Sequence, residues 1–185
     1  MKKPRVVIDL SVFLEALLSA DSDSSRLLRR WLQEDAYQAL MTPRGLRALE
    51  GAVLDEELLG ASGLEENEAK RWVAALALRV ETVEPEVESS AAVLESRTAS
   101  VRARARAVLA GARGESPDRE PSAAPEPSAE ESALAALSAL DRDAVLAARQ
   151  SEALIVSTDP ALLESRDLGV DVLTPTSLLQ LLEAL

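Results

Sequence analysis

Two aspartates supply the first sign of chemistry. Asp9 closes the β-branched run 5–8, and Asp159 follows the apolar run 153–157 after a single threonine. The chain contains no histidine and no cysteine. That removes histidine triads, imidazole-bound zinc, thiolate sites and disulfides, and leaves carboxylates as the plentiful acids, bases and ligands. Any catalysis here is carboxylate chemistry.

The elements around these acids follow from hydrophobic periodicity. Residues 5–8 read as a strand and residues 11–19 as a helix with Val12, Phe13, Ala16 and Leu17 on one face. Ser24 or Ser25 is expected to cap a helix through Glu34, with Leu27, Leu28, Trp31 and Leu32 inside and arginines outside. A second strand is expected over 37–41, and Thr42-Pro43 starts a helix running towards Leu59. Gly60 and Gly63 break the chain before a helix over 65–78, and 80–83 reads as a third strand. Beyond the insertion come a helix over 132–150, a strand over 153–157, a short helix at 160–163, a strand over 170–173 and a helix from Pro175 docked by Leu178, Leu179, Leu181 and Leu182.

Strands alternating with helices imply an α/β fold with a mostly parallel sheet, whose ligands lie at the carboxyl ends of the strands. Asp9 and Asp159 both fall there. With 185 residues, 47% of them hydrophobic, one domain is expected. Only four aromatics are present, so Ala, Leu and Val must fill the core. From residue 86 the composition shifts. Residues 86–112, rich in Ala, Ser and Arg, read as an inserted helix, and residues 113–132, acidic and rich in Pro, Ser and Ala, as a disordered linker.

The net charge of −12 argues against broad electrostatic binding of nucleic acid, although a bound cation reverses the local field around a carboxylate cluster. Asp9 and Glu15 interrupt the N-terminal apolar run where a signal peptide needs none, and no stretch approaches the ~20 apolar residues of a membrane span. A cytoplasmic protein without a membrane partner is expected. No Gly-rich phosphate loop follows the first strand. A haloacid-dehalogenase-like site would need an aspartate where Ser11 stands, and a receiver domain would need adjacent acids before Asp9.

Three segments, taken in order, resemble the PIN domain family of small α/β nucleases. RVVIDLSVFLEALLS is similar to the family's opening strand and helix, with Ser11 where an asparagine usually stands. TPRGLRALEGAVL resembles the helix that supplies a second acid, and Glu50 is the candidate. LDRDAVLAARQSEALIVSTDPALLESRDLGVDVLTPTSLLQLL resembles the C-terminal half. There Asp143, with Asp141 as the alternative, and Asp159 fall on acidic positions, and Ser157 matches the hydroxyl residue of a Ser/Thr-x-Asp turn.

The resemblance covers residues 4–83 and 133–184 and implies a three-layer PIN-like fold with a metal-dependent endoribonuclease site. It implies Mg²⁺ or Mn²⁺ held by Asp9, Asp143 and Asp159, with Glu50 as a further catalytic acid and Ser11 and Ser157 in support. Such an ion prefers oxygen ligands, keeps several waters, and can polarise a phosphate and activate water. The implied partners are an RNA substrate, an antitoxin protein that neutralises a toxin, and a second copy in a homodimer.

Each acid also has a plainer reading. Asp9 could cap the helix beginning near Ser11, Asp141 or Asp143 the helix ending at Gln150, and Asp159-Pro160 a turn, while Glu50 would lie on a solvated face. Arg102, Arg104, Arg106 and Arg113 suit either an RNA backbone or a solvated helix face. A second function, a catalytically degenerate PIN-like module that binds RNA or protein, stays open beside the nuclease, motivated by Ser11.

Overall fold

The computed structural model describes residues 3–86 and 129–184. The inserted helix expected over 86–112 lies outside these residues except for Glu86, as does the linker up to residue 128. The sheet is built of β1 (Arg5–Ile8), β2 (Gln38–Met41), β3 (Glu81–Thr82), β4 (Leu154–Val156) and β5 (Val172–Leu173). All pairings are parallel, in the order β3-β2-β1-β4-β5. The helices are α1 (Leu10–Leu18), α2 (Asp23–Glu34), α3 (Pro43–Val53), α4 (Glu56–Ser62), α5 (Glu66–Ala77), α6 (Ala129–Ala136), α7 (Ala139–Ser151), α8 (Pro160–Glu164) and α9 (Pro175–Glu183).

Alternation along the strands separates two cores. Val6 and Ile8 of β1, Ala39 and Met41 of β2 and Val156 of β4 pack against α1, α2, α3, α5 and α9 through Phe13, Leu27, Trp31, Leu49, Val73 and Leu178. Val7, Leu40 and Ile155, one residue out of phase, face Val145 and Ala148 of α7 and Leu162 of α8. This is the expected three-layer α/β arrangement. Burying each of these Val, Leu or Phe side chains contributes roughly 1.5–3 kcal/mol, so β1, β2 and β4 are held from both faces.

Several helix boundaries differ from expectation, and caps account for them. The helix expected from Pro43 towards Leu59 divides at Leu54, because the Asp55 carboxylate accepts from Glu57 N and Leu58 N and starts α4. The helix expected over 132–150 is two. Ser138 caps α7 by accepting from Asp141 N at 3.2 Å, and α6 begins at Ala129, inside the stretch read as linker. Ser22 rather than Ser24 or Ser25 caps α2. The Ser24 and Ser25 hydroxyls instead donate to Glu15 Oε2 and Ala16 O, joining α2 to α1. Among the docking leucines of α9, Leu178 and Leu182 are buried, whereas Leu181 is 39% exposed.

Tyr37, expected in β2, precedes it, fully buried, and donates its hydroxyl to Leu27 O at 3.1 Å. Among the described residues no helix is long and apolar enough to cross a membrane.

Candidate active site at the strand switch point

Strand order reverses between β1 and β4. The chain leaves β1 towards β2 on one side, while β5 follows β4 on the other, so the loops after β1 and β4 diverge and open a crevice. Asp9 sits at one lip of it and Ser157, Thr158 and Asp159 at the other. Asp9 N donates to Val156 O at 3.0 Å, fixing the two strand ends side by side.

The Asp9 carboxylate is buried and well supplied with donors. Its Oδ2 accepts from Ser11 Oγ at 2.5 Å, from Ser157 Oγ at 2.7 Å and from Ser11 N at 3.4 Å. Each hydroxyl also accepts a backbone proton: Ser11 Oγ from Thr158 N at 3.0 Å across the crevice, and Ser157 Oγ from Asp159 N at 2.9 Å within its own loop. Charge-assisted hydrogen bonds of this kind offset the cost of burying a carboxylate. Serine at position 11 thus bridges both loops, and it reaches far enough to do so.

Asp159 caps α8, with Oδ1 accepting from Ala161 N at 2.8 Å, and Pro160 fills the first helical position. Asp9 likewise caps α1. The capping roles weighed for these two acids are therefore present, alongside their meeting at one crevice.

On α7 it is Asp141 that joins them electrostatically. Asp141 is buried, and burial raises its carboxyl above the ordinary aspartate value. The Ser138 hydroxyl, donating at 2.6 Å, opposes this, and the charges of Asp9 and Asp159 raise it further. Asp143, two residues on, turns elsewhere, because residues two apart on a helix do not share a face. Its Oδ2 lies 3.2 Å from Arg44 Nε in an ion pair between α7 and α3. Neither acid caps the helix.

Glu50 is exposed and lines a groove with Leu46, Lys70 and Val73, between α3 and α5. The part of α3 beside Asp9 is instead its first turn, where Thr42 and Gly45 face Leu140 and Ala144 of α7 across a narrow cleft. Helical spacing continues that face to Ala48, so among the described residues α3 brings no carboxylate to Asp9. Gly45 keeps that turn uncrowded: a Cβ there would stand 3.1 Å from Thr42 Oγ1, closer than ordinary van der Waals contact.

A divalent cation of the Mg²⁺ or Mn²⁺ kind needs oxygen ligands that converge on one point. Asp9, Glu50, Asp143 and Asp159 do not form a common cage, and among the described residues no three acids approach closely enough to hold a metal ion together. Asp143 is answered by a guanidinium, and Asp9 Oδ2 is filled by protons from two hydroxyls. The group does not fit a metal cage as the resemblance implies it.

Arg44 is the residue that the sequence left unmarked. One signal was present. A cation in the first turn of a helix opposes the helix dipole and calls for an acid partner from elsewhere in the fold.

No family model matches this chain, and no curated protein matches it. Its fold does match solved structures. PAE2754 from Pyrobaculum aerophilum aligns over 98% of this chain and 97% of that one, with a TM-score of 0.53 and 16% identity. VapBC2 from Rickettsia felis, bound to a DNA fragment from their promoter, aligns over 92% of this chain and 98% of that one, with a TM-score of 0.50 and 9% identity. At such identities the likeness is one of fold.

Proposed function

We propose that this chain, whose fold is PIN-like, is a protein-binding module on a nuclease scaffold, whose acidic crevice receives a basic segment of a partner protein. The observation that carries this reading is the Arg44–Asp143 pair. An acid that the resemblance assigns to the metal is already neutralised by the chain itself. Asp9, Asp141 and Asp159 keep an excess of negative charge at the crevice, and Asp141 is disfavoured as an anion partly because of the other two. An added positive charge relieves that crowding, whereas RNA phosphate adds to it. The net charge of −12 favours the same choice. A partner of the antitoxin kind, which the PIN resemblance implies, has the required character if its docking segment carries arginine or lysine.

A second reading is RNA hydrolysis with Mg²⁺ or Mn²⁺, with Asp9, Asp141 and Asp159 as the acids. It is favoured by the mutual influence of those acids, which a bound divalent ion would neutralise while polarising a phosphate.

Calorimetry on the full chain separates the two. The binding reading expects saturable, salt-sensitive binding of a synthetic arginine-rich peptide, weakened in Asp141→Asn, with no saturable Mn²⁺ binding and no Mn²⁺-dependent RNA cleavage. Saturable Mn²⁺ binding with metal-dependent cleavage, both lost in Asp9→Asn/Asp159→Asn, would establish the ribonuclease instead.

A further inference from the structure

The pairing of β1 with β4 ends at Ile8 and Val156, and Asp9 N closes that ladder on Val156 O. Asp159 lies beyond it, on the loop that leaves β4. Two hydroxyls tie this loop back to the β1 side. Ser157 holds its base, donating to Asp9 Oδ2 at 2.7 Å. Ser11 holds it further out, at the backbone, by accepting from Thr158 N at 3.0 Å while donating to the same Asp9 Oδ2 at 2.5 Å. A hydroxyl has a single proton to give. Both protons go to Asp9, so the acceptor side of Ser11 is what grips the other loop, at the residue just before Asp159. Ser11 stands in the first turn of α1, which Asp9 itself caps. Hydroxyl, carboxylate and helix end therefore form one rigid unit to which the second lip is fastened.

We infer that Ser11 is the positioning residue of the crevice: by holding the Thr158 backbone against Asp9, it fixes the spacing at which Asp9 and Asp159 meet a partner's basic segment. The inference rests on the reading of the crevice as one that receives such a segment. An arginine guanidinium is a planar fork of fixed geometry. Carboxylates already held at one spacing lose less freedom on binding it than carboxylates on loops free to separate. The size of the side chain matters as well. Ser11 Oγ fits between Asp9 Oδ2, Thr158 N and Ser157 Oγ, the last at 3.2 Å. A longer side chain in that space, such as asparagine, displaces the Thr158 loop.

The test uses the full chain and a synthetic arginine-rich peptide in calorimetry, with melting temperature and amide hydrogen exchange measured on the same samples. Ser11→Ala is expected to weaken the peptide about fivefold, the net worth of one hydrogen bond. It is also expected to speed exchange of the Thr158 amide, whose acceptor is lost. Ser11→Thr keeps the hydroxyl and is expected to restore both, whereas Ser11→Asn is expected to weaken the peptide as Ser11→Ala does. Tyr37→Phe separates positioning from stability. It removes the hydroxyl bonded to Leu27 O, just before β2 and so at the amino edge of the sheet, away from the crevice. It is expected to lower the melting temperature and leave peptide affinity unchanged.

Wild-type affinity in Ser11→Ala or Ser11→Asn would overturn the inference and leave the protein-binding reading standing. So would an equal loss in Tyr37→Phe, or a Ser11→Thr protein that melts like wild type but binds like Ser11→Ala. If wild type binds no peptide, the protein-binding reading fails, and amide exchange alone decides the positioning. A Thr158 amide exchanging equally fast in wild type and Ser11→Ala then overturns it, and one exchanging faster in Ser11→Ala upholds it.

Discussion

Ser157 Oγ, fully buried at the end of β4, donates to Asp9 Oδ2 at 2.7 Å and joins two strand ends that are 148 residues apart in the chain. Ser157→Ala would leave a buried carboxylate short of one donor and Asp159 N without its acceptor. A loss of about 1.5–3 kcal/mol is expected, as for hydrogen bonds to charged groups. Urea denaturation measures it. A change within about 0.5 kcal/mol, the range of uninvolved surface positions, would mean that water or another group supplies the bond equally well.

Asp141 gives stability a pH dependence with a definite sign. Its carboxyl is raised in the fold, first by burial and then by Asp9 and Asp159. The folded state therefore holds its proton to higher pH than the unfolded chain, and stability falls as pH rises from the ordinary value of 3.8 through the folded one. Asp141→Asn retains an acceptor for Ser138 and removes this penalty. Its advantage over wild type should be small below 3.8 and reach its full size at neutral pH. Thermal melts at both ends of that window check it, and an advantage that shrinks with rising pH would contradict the assignment.

Glu50 should be silent. It is exposed and lies by the groove between α3 and α5 rather than at Asp9. Glu50→Ala is expected to change stability by less than about 0.5 kcal/mol and to leave binding of the arginine-rich peptide unaltered. Weakened peptide binding would return this glutamate to the site.

Thr42 and Gly45 should behave as one unit. Thr42 Oγ1 accepts from Gly45 N at 2.9 Å to cap α3, and a Cβ on residue 45 would crowd that same oxygen. Thr42→Ala is expected to cost about 1 kcal/mol as a lost cap, and Gly45→Ala a similar amount through displacement of the cap. The double variant should then cost clearly less than the sum of the two, because the second change acts on a cap already lost. Additive losses in equilibrium unfolding would show that the crowding is not at Thr42.

The order of strands and helices was legible because each rests on local signals. Arg5–Ile8 is a β-branched run, Thr42-Pro43, Asp159-Pro160 and Thr174-Pro175 are cap-proline pairs, and the helices carry apolar stripes at helical spacing. Boundaries were less legible where three capping residues competed. Ser22, Ser24 and Ser25 are chemically alike at the start of α2, and only packing against α1 shows that the latter two hydroxyls are used elsewhere.

The same division holds at the crevice. Local sequence determined that Asp9 and Asp159 lie at the same edge of the sheet, because each follows a strand and parallel strands present their carboxyl ends to one side; the pairing of β1 with β4 then brought them to one crevice. Local sequence also determined that carboxylates would be the chemical groups there, since histidine and cysteine are absent. Tertiary structure alone decided which face of α7 turns to Asp9, selecting Asp141 for the crevice and giving Asp143 to Arg44. It also turned Glu50 outward and set Gly45 beside Asp9. The physical reason is rotation: a helix docks by its whole apolar stripe, and the resulting angle about its axis decides which of two nearby acids points inward.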